Sequence, residues 1–346
     1  MYDRLCRTLP VEESLRRAAN EPFVIRLAVP DGETVAEDIV RGTVRWDNAT
    51  LDDSVLLKSD GFPTYHLANV VDDYAMKITH VIRAEEWLPS LPKHLILYKA
   101  FGWKPPTFAH LPLILGPDRK KLSKRHGHVA ALEYRNDYLP EAFTNFLVLM
   151  GWRLQSDPDR ELFPLDELTK HFSLEGVRSS GAIFDPVKLN WLNREWMRRD
   201  TQRTRKAIAP LLSAIPVSKI SDAMVHLATE HSTTRSAVAE QISGIVNPSA
   251  LSVGLLVPTG STSEQSRTVL MAAHQALETV TSWESQIIDS ALHGVGESLG
   301  KPPSVVQWPI RIALSHQNPS PSGVQLAAAL GKEETLRRIT EALQAL

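Results

Sequence analysis

The stretch ITHVIRAEEWLPSLPKHLILYKAFGWKPPTFAHLPLIL, residues 78–115, decides the fold. Residues 78–83 form a short run rich in β-branched residues, which predicts a buried parallel strand. Leu91 to Phe101 has helical length and no internal glycine, and Phe108 to Leu115 is a second strand-like run. Strand, helix and strand in that order predict a doubly wound α/β sheet, whose ligands bind at the carboxyl ends of the strands. Such an end is reached after Leu115, where a Gly116-Pro117-Asp118 turn leads into RKKLSKR, residues 119–125, with five cations in seven residues. A lysine-rich loop in that place can offset the charge of a reacting polyphosphate. The alternative is a solvated basic surface turn.

Composition narrows the class of protein. A chain of 346 residues, 43% hydrophobic and 23% charged, can bury two or three cores and is neither disordered nor membrane-like. No apolar run approaches the roughly 20 residues that span a bilayer, and the first twenty residues lack a signal-peptide core. The single cysteine, Cys6, excludes an internal disulfide and a cysteine-based metal cluster, and fits reducing surroundings. With a formal net charge of −2, a nucleic-acid partner has to be met by local basic patches.

Upstream, residues 11–19 have amphipathic helical spacing, and residues 22–30 and 39–48 alternate like strands, which predicts a small mixed insert. Downstream, residues 130–152 and 184–199 are expected to be helices, the second starting near Asp185-Pro186. Beyond residue 206 the chain is rich in Ala, Leu, Ser and Thr, with helix-length segments separated by prolines, so an all-helical terminal region is expected.

The segment KSDGFPTYHLANVVDDYAMKITHVIRAEEWLPSLPKHLILYKAFGW, residues 58–103, together with FAHLPLILGPDRKKLSKRHG, residues 108–127, resembles the glutamate–tRNA ligases, which are class I aminoacyl-tRNA synthetases. KLSKR, residues 121–125, is similar to their second nucleotide-binding motif, with Leu122 in place of Met and Arg125 in place of the last Ser. The resemblance implies a chain divided into a partial acceptor-end-binding insert (1–57), the second half of a Rossmann-like catalytic domain (58–135), a helical stem-contact region (136–205) and an all-α anticodon-binding domain (206–346). It implies that Lys124 contacts the ATP phosphates, that Lys121 assists, that Ser123 shapes the loop, and that the backbone of Leu113 and Ile114 reads the adenine. Tyr65, Asn69, Arg83, Glu86 and Trp87 would line the amino-acid site, with Arg83 pairing with the side-chain carboxylate. Tyr65 and Asn69, four residues apart, would share one helical face. The pairing has a physical logic: glutamine is nearly isosteric with glutamate, and leaving a desolvated guanidinium unpaired costs about 1–3 kcal/mol.

The implied partners are ATP with its accompanying Mg2+, glutamate and tRNA(Glu), with no structural metal, no membrane and a monomeric state. The implied compartment is bacterial cytoplasm or mitochondrial matrix. One departure is large. No His-Ile-Gly-His type sequence occurs in the chain, so a truncated synthetase is expected, with a non-catalytic tRNA-binding protein on the same scaffold as the alternative. A ligase that modifies a tRNA base with glutamate would share the Arg83 chemistry but not the long helical tail. Asp72 and Asp73 are read as structural or tRNA-facing, and Gly294 to Gly300 as a loop without a nucleotide role. Arg194, Arg198, Arg199, Arg203, Arg205 and Lys206 are either a phosphate grip or a solvated face.

Overall fold

The computed structural model describes residues 2–123, 125 and 130–346, which fall into two compact units. The first comprises residues 1–129 and 147–185, the second residues 130–146 and 186–346.

In the first unit, helix α1 (Val11–Asn20) precedes β1 (Ile25–Arg26), β2 (Glu33–Asp38), β3 (Gly42–Asp47) and β4 (Val55–Leu57). Helix α2 (Tyr65–Ala75), β5 (His80–Ala84), α3 (Leu91–Phe101), β6 (Thr107–Leu111) and β7 (Ile114–Leu115) follow. Four strands make the main sheet in the order β3-β2-β6-β5. β5 and β6 are parallel, with Arg83 opposite His110, as the intervening α3 requires. β2 joins β6 in parallel through Asp38 and Phe108, and pairs with β3 as an antiparallel hairpin. Leu91, Ile96, Leu97 and Tyr98 of α3 pack with Ala36, Phe108 and Val70 to form the core over this sheet. Helix α3 stops because Gly102 takes the left-handed conformation at φ 69°, with Trp103 N–H donating to Tyr98 O at 2.8 Å.

The expected strand over 108–115 is two strands, because Pro112 has no N–H to donate and the ladder with β5 ends at Leu111. The second piece, β7, pairs instead with β8 (Ala182–Ile183). Residues 22–30 contain only the two-residue β1, and residues 39–41 are the turn of the β2–β3 hairpin. The strand ETVAED itself was not anticipated; three of its six residues are acidic, a composition disfavoured in strands. The helix expected over 130–152 is a 3-10 turn at Ala131–Asn136 followed by α4 (Pro140–Leu149), since Pro140 cannot continue a helix but can start one.

Helix α5 (Leu165–His171) completes the first unit, where Trp152, Phe163 and Leu168 form a small second core. The second unit holds α6 (Pro186–Arg199), α7 (Thr201–Ile208), α8 (Asp222–His231), α9 (Arg235–Val246), α10 (Val253–Leu256), α11 (Ser263–Glu278), α12 (Ser285–Leu299), α13 (Pro303–Ser315), α14 (Gly323–Leu330) and α15 (Lys332–Ala345). Ser221, Thr234, Thr262 and Ser322 cap helix starts by accepting from backbone N–H groups, and a continuous apolar core joins these helices. Gly294 to Leu299 is the end of α12 and not a loop, with Gly300 its left-handed cap. Arg338 is buried, and donates to Leu314 O, Ile245 O and Val246 O, closing the carboxyl ends of α13 and α9. No helix among the described residues is long and apolar enough to cross a membrane.

Candidate active site

The carboxyl ends of β2, β5 and β6 bring Asp38, Arg83 and His110 together. Asp38 and His110 are both buried. The Asp38 carboxylate accepts from His110 Nδ1 at 2.6 Å, from the His110 backbone N–H at 3.1 Å, and from the Val40 and Arg41 N–H groups at 3.0 Å. Burial pushes this carboxyl up, but those donors outweigh burial and hold it below the usual carboxylate range. Burial lowers the His110 imidazole, with the Arg83 charge acting the same way against the pull of Asp38.

Arg83 Nε donates to His110 Nε2 at 3.0 Å. Its Nη1 lies 3.4 Å from Nδ1 of His94, a buried residue of α3, whose Nε2 is 3.0 Å from His66 Nδ1 on α2. Arg83 Nη2 is shielded from solvent and has no hydrogen-bond partner among the described residues. Burial lowers the Arg83 pKa, while Tyr65, Asp73 and Asp38 pull it back up. Tyr65, at the first turn of α2, sets its ring 4.9 Å from that of Trp87, and the guanidinium of Arg83 stands 6.0 Å from the Trp87 ring centre. Asn69, one helical turn on, hydrogen-bonds Asp73 through its side chain. Tyr65, Arg83 and Trp87 therefore surround one spot, with Asn69 on the same helix as Tyr65.

The basic loop reaches the same elements. Lys121 Nζ pairs with Glu86 at 2.5 Å, so a residue assigned to the nucleotide side holds one assigned to the amino-acid side. Glu85 pairs with Arg41 and accepts from the Leu113 N–H at 3.0 Å, and the Ile114 carbonyl accepts from Leu122 N–H at 2.8 Å. These backbone atoms of 113 and 114 are thus already engaged. Gly181 lets β8 lie this close: a Cβ there would meet Leu115 at 2.9 Å and the Leu113 carbonyl at 3.1 Å. Ser123 is half-buried, and Lys124 lies outside the described residues.

Away from this site, the basic cluster on α6 and α7 is largely paired internally. Arg194 and Arg198 meet Glu195, Arg203 meets Glu141, and Arg205 meets Asp222. Sequence reasoning missed Asp38, His66, His94 and His110. The one available signal was the His110-x-Pro112 run beside the motif loop, and it does not reveal Asp38, 72 residues earlier.

Residues 1–191 match the family described as tRNA synthetases class I (E and Q), catalytic domain, and residues 191–343 match an anticodon binding domain family. The glutamate–tRNA ligase of Dehalococcoides mccartyi strain CBDB1 is 39% identical over 359 residues, covering 100% of this chain and 72% of the relative. That of Chlorobium chlorochromatii strain CaD3 is 40% identical over 357 residues, covering 98% and 71%. Among solved structures, a glutamate tRNA ligase from Elizabethkingia meningosepticum, in complex with its amino acid, superposes with a TM-score of 0.74 at 32% identity, covering 98% of this chain and 72% of that one.

Proposed function

The chain belongs to the glutamate–tRNA ligases, a family of class I aminoacyl-tRNA synthetases, and on that premise we propose that it serves the ATP-dependent ligation of glutamate to tRNA(Glu) through a glutamyl-adenylate. The observation that carries this reading is the buried Nη2 of Arg83, which has no hydrogen-bond partner among the described residues, beside Tyr65 and Trp87, a cationic socket for a side-chain carboxylate. With that carboxylate held, the α-carboxylate of glutamate is the group left to attack the α-phosphorus of ATP. Pyrophosphate leaves, and a terminal ribose hydroxyl of the tRNA then takes the acyl group and releases AMP. Neither step needs a covalent enzyme intermediate, so positioning and charge stabilisation supply the catalysis. Lys124 and Lys121 would meet the phosphates of Mg-ATP, Ser123 would shape their loop, and Leu113 and Ile114 would flank the adenine. Lys121 has to leave Glu86 to do so.

The division into insert, catalytic half, stem-contact region and anticodon-binding domain, a monomeric state, and a bacterial-type compartment belong to the same proposal. Because no His-Ile-Gly-His type sequence occurs in these 346 residues, exchange by this chain alone is expected to be weak. The test is glutamate- and tRNA-dependent ATP–pyrophosphate exchange, run beside direct glutamate and tRNA binding. Glutamate binding lost in Arg83→Ala supports the reading. Robust exchange abolished by Lys124→Ala would overturn the expectation of weak activity, and salt-dependent tRNA binding without glutamate binding would favour a non-catalytic tRNA-binding role.

A further inference from the structure

Arg83 is held by groups that carry no charge. A guanidinium can only donate, so His110 Nε2 and His94 Nδ1 must both be acceptors in their contacts at 3.0 and 3.4 Å. That fixes every proton in the chain. His110 carries its proton on Nδ1 and gives it to Asp38, while His94 carries its proton on Nε2 and gives it to His66 Nδ1. Two imidazoles on different elements, β6 and α3, thus converge on one guanidinium with compatible polarity. Burial lowers both imidazoles, His94 to about 3. The other groups acting on His94 are Arg83, His66, His110 and Lys93, all of which oppose a second positive charge. Those acting on His110 are Asp38, Arg83 and Arg41.

No carboxylate forms an ion pair with Arg83 among the described residues; Asp38 is one imidazole away, and Asp73 acts without contact. Had a carboxylate held Nε or Nη1, the cation would already be matched, and a neutral amide would satisfy the remaining N–H almost as well as a second carboxylate. Held by neutral acceptors, the charge remains for the ligand, and a carboxylate gains from it a charge–charge attraction that a neutral amide lacks.

We infer that His94 and His110 are positioning residues that set specificity: as neutral acceptors they lock the Arg83 guanidinium without neutralising it, so that glutamate is accepted and glutamine refused. This rests on the reading of Arg83 as the partner of the glutamate side chain, and two measurements separate the claims. The first is side-chain 15N NMR of the histidines in the full chain from pH 4.5 to 8. It is expected to show His94 as the Nε2–H tautomer and His110 as the Nδ1–H tautomer, both neutral across that range. Either buried ring titrating near 6.5, or the opposite tautomer, overturns the inference. The second is calorimetric binding of L-glutamate and L-glutamine to the wild type, His94→Gln and His94→Glu. The Gln variant keeps a neutral acceptor and is expected to keep the preference, whereas the Glu variant is expected to lower the glutamate-to-glutamine ratio at least tenfold. An unchanged ratio in a folded Glu variant overturns the specificity role. Loss of the preference in the Gln variant does so as well, and this arm stands if the Glu variant does not fold. A wild type that binds neither amino acid, with both tautomers as stated, would leave the locked guanidinium intact and overturn the reading of Arg83 as the glutamate partner.

Discussion

Lowering the pH from 7 to 5 titrates the unfolded form of His94 and leaves the folded form almost untouched. The folded imidazole sits at about 3, first because of burial and next because of the Arg83 charge, against an ordinary value of 6.5. A folded pKa below the unfolded one means that the unfolded chain binds the extra proton. Stability from this group is therefore full above 6.5 and is lost as pH falls from 6.5 toward 3. Each pH unit inside that window costs about 1.4 kcal/mol, so 1.5 units, down to pH 5, cost about 2 kcal/mol. His66 and His110 are also lowered and add in the same direction. His94→Gln isolates the one residue, since every other group stays in both proteins. Urea unfolding of the first unit, followed by the fluorescence of tryptophans such as Trp46 and Trp103 that pack on its core, gives the two stabilities at each pH. The gap between wild type and variant should shrink by about 2 kcal/mol between pH 7 and pH 5. A gap that is the same at both pH values would show that His94 is protonated in the folded protein, and the neutral-acceptor argument would go with it.

Other perturbations follow from the same structure. Arg338→Met leaves three helix-end carbonyls without a donor, and should destabilise the helical unit by about 3–5 kcal/mol on thermal melting followed by circular dichroism; a loss below about 1 kcal/mol would refute the clamp. Tyr98→Phe removes a buried hydroxyl that has no hydrogen-bond partner among the described residues, so stability should be unchanged or raised by up to about 1 kcal/mol, contrary to the usual loss. A clear destabilisation would reveal a partner for that hydroxyl. Lys121→Ala and Glu86→Ala break an ion pair whose side chains are 61% and 44% exposed, and each should alter stability by less than about 1 kcal/mol in urea titrations. A larger effect would make the pair a structural strut and not a contact that ATP can displace.

The elements that local pattern specifies were legible, and those that depend on distant partners were not. β5, α3 and α6 could be read from apolar runs closed by Gly102 or opened by Pro186, because propensity and caps act within a few residues. β2 could not, because its three acidic residues look like loop until Thr34, Ala36 and Asp38 are seen turned toward the sheet's covered side. At the site, the motif residues Tyr65, Arg83 and Trp87 were legible through their resemblance to a family and do come together. Their supports were not. Asp38, His94 and His110 look like any turn carboxylate and core imidazoles in a linear chain, and acquire meaning only when β2, β5 and β6 align and α3 packs across them. Glu86 was read as a substrate contact, and what it touches in the structure is Lys121, a pairing across 35 residues that no spacing rule supplies.

The central claim is that the free edge of Arg83 is the seat of a substrate carboxylate. A crystal structure of the chain with L-glutamate tests it most directly. The account predicts the side-chain carboxylate within hydrogen-bond distance of Arg83 Nη2, between Tyr65 and Trp87, with Nε and Nη1 still on His110 and His94. Glutamate bound elsewhere, or Arg83 swung away onto Asp73 with the two histidines released, would contradict it.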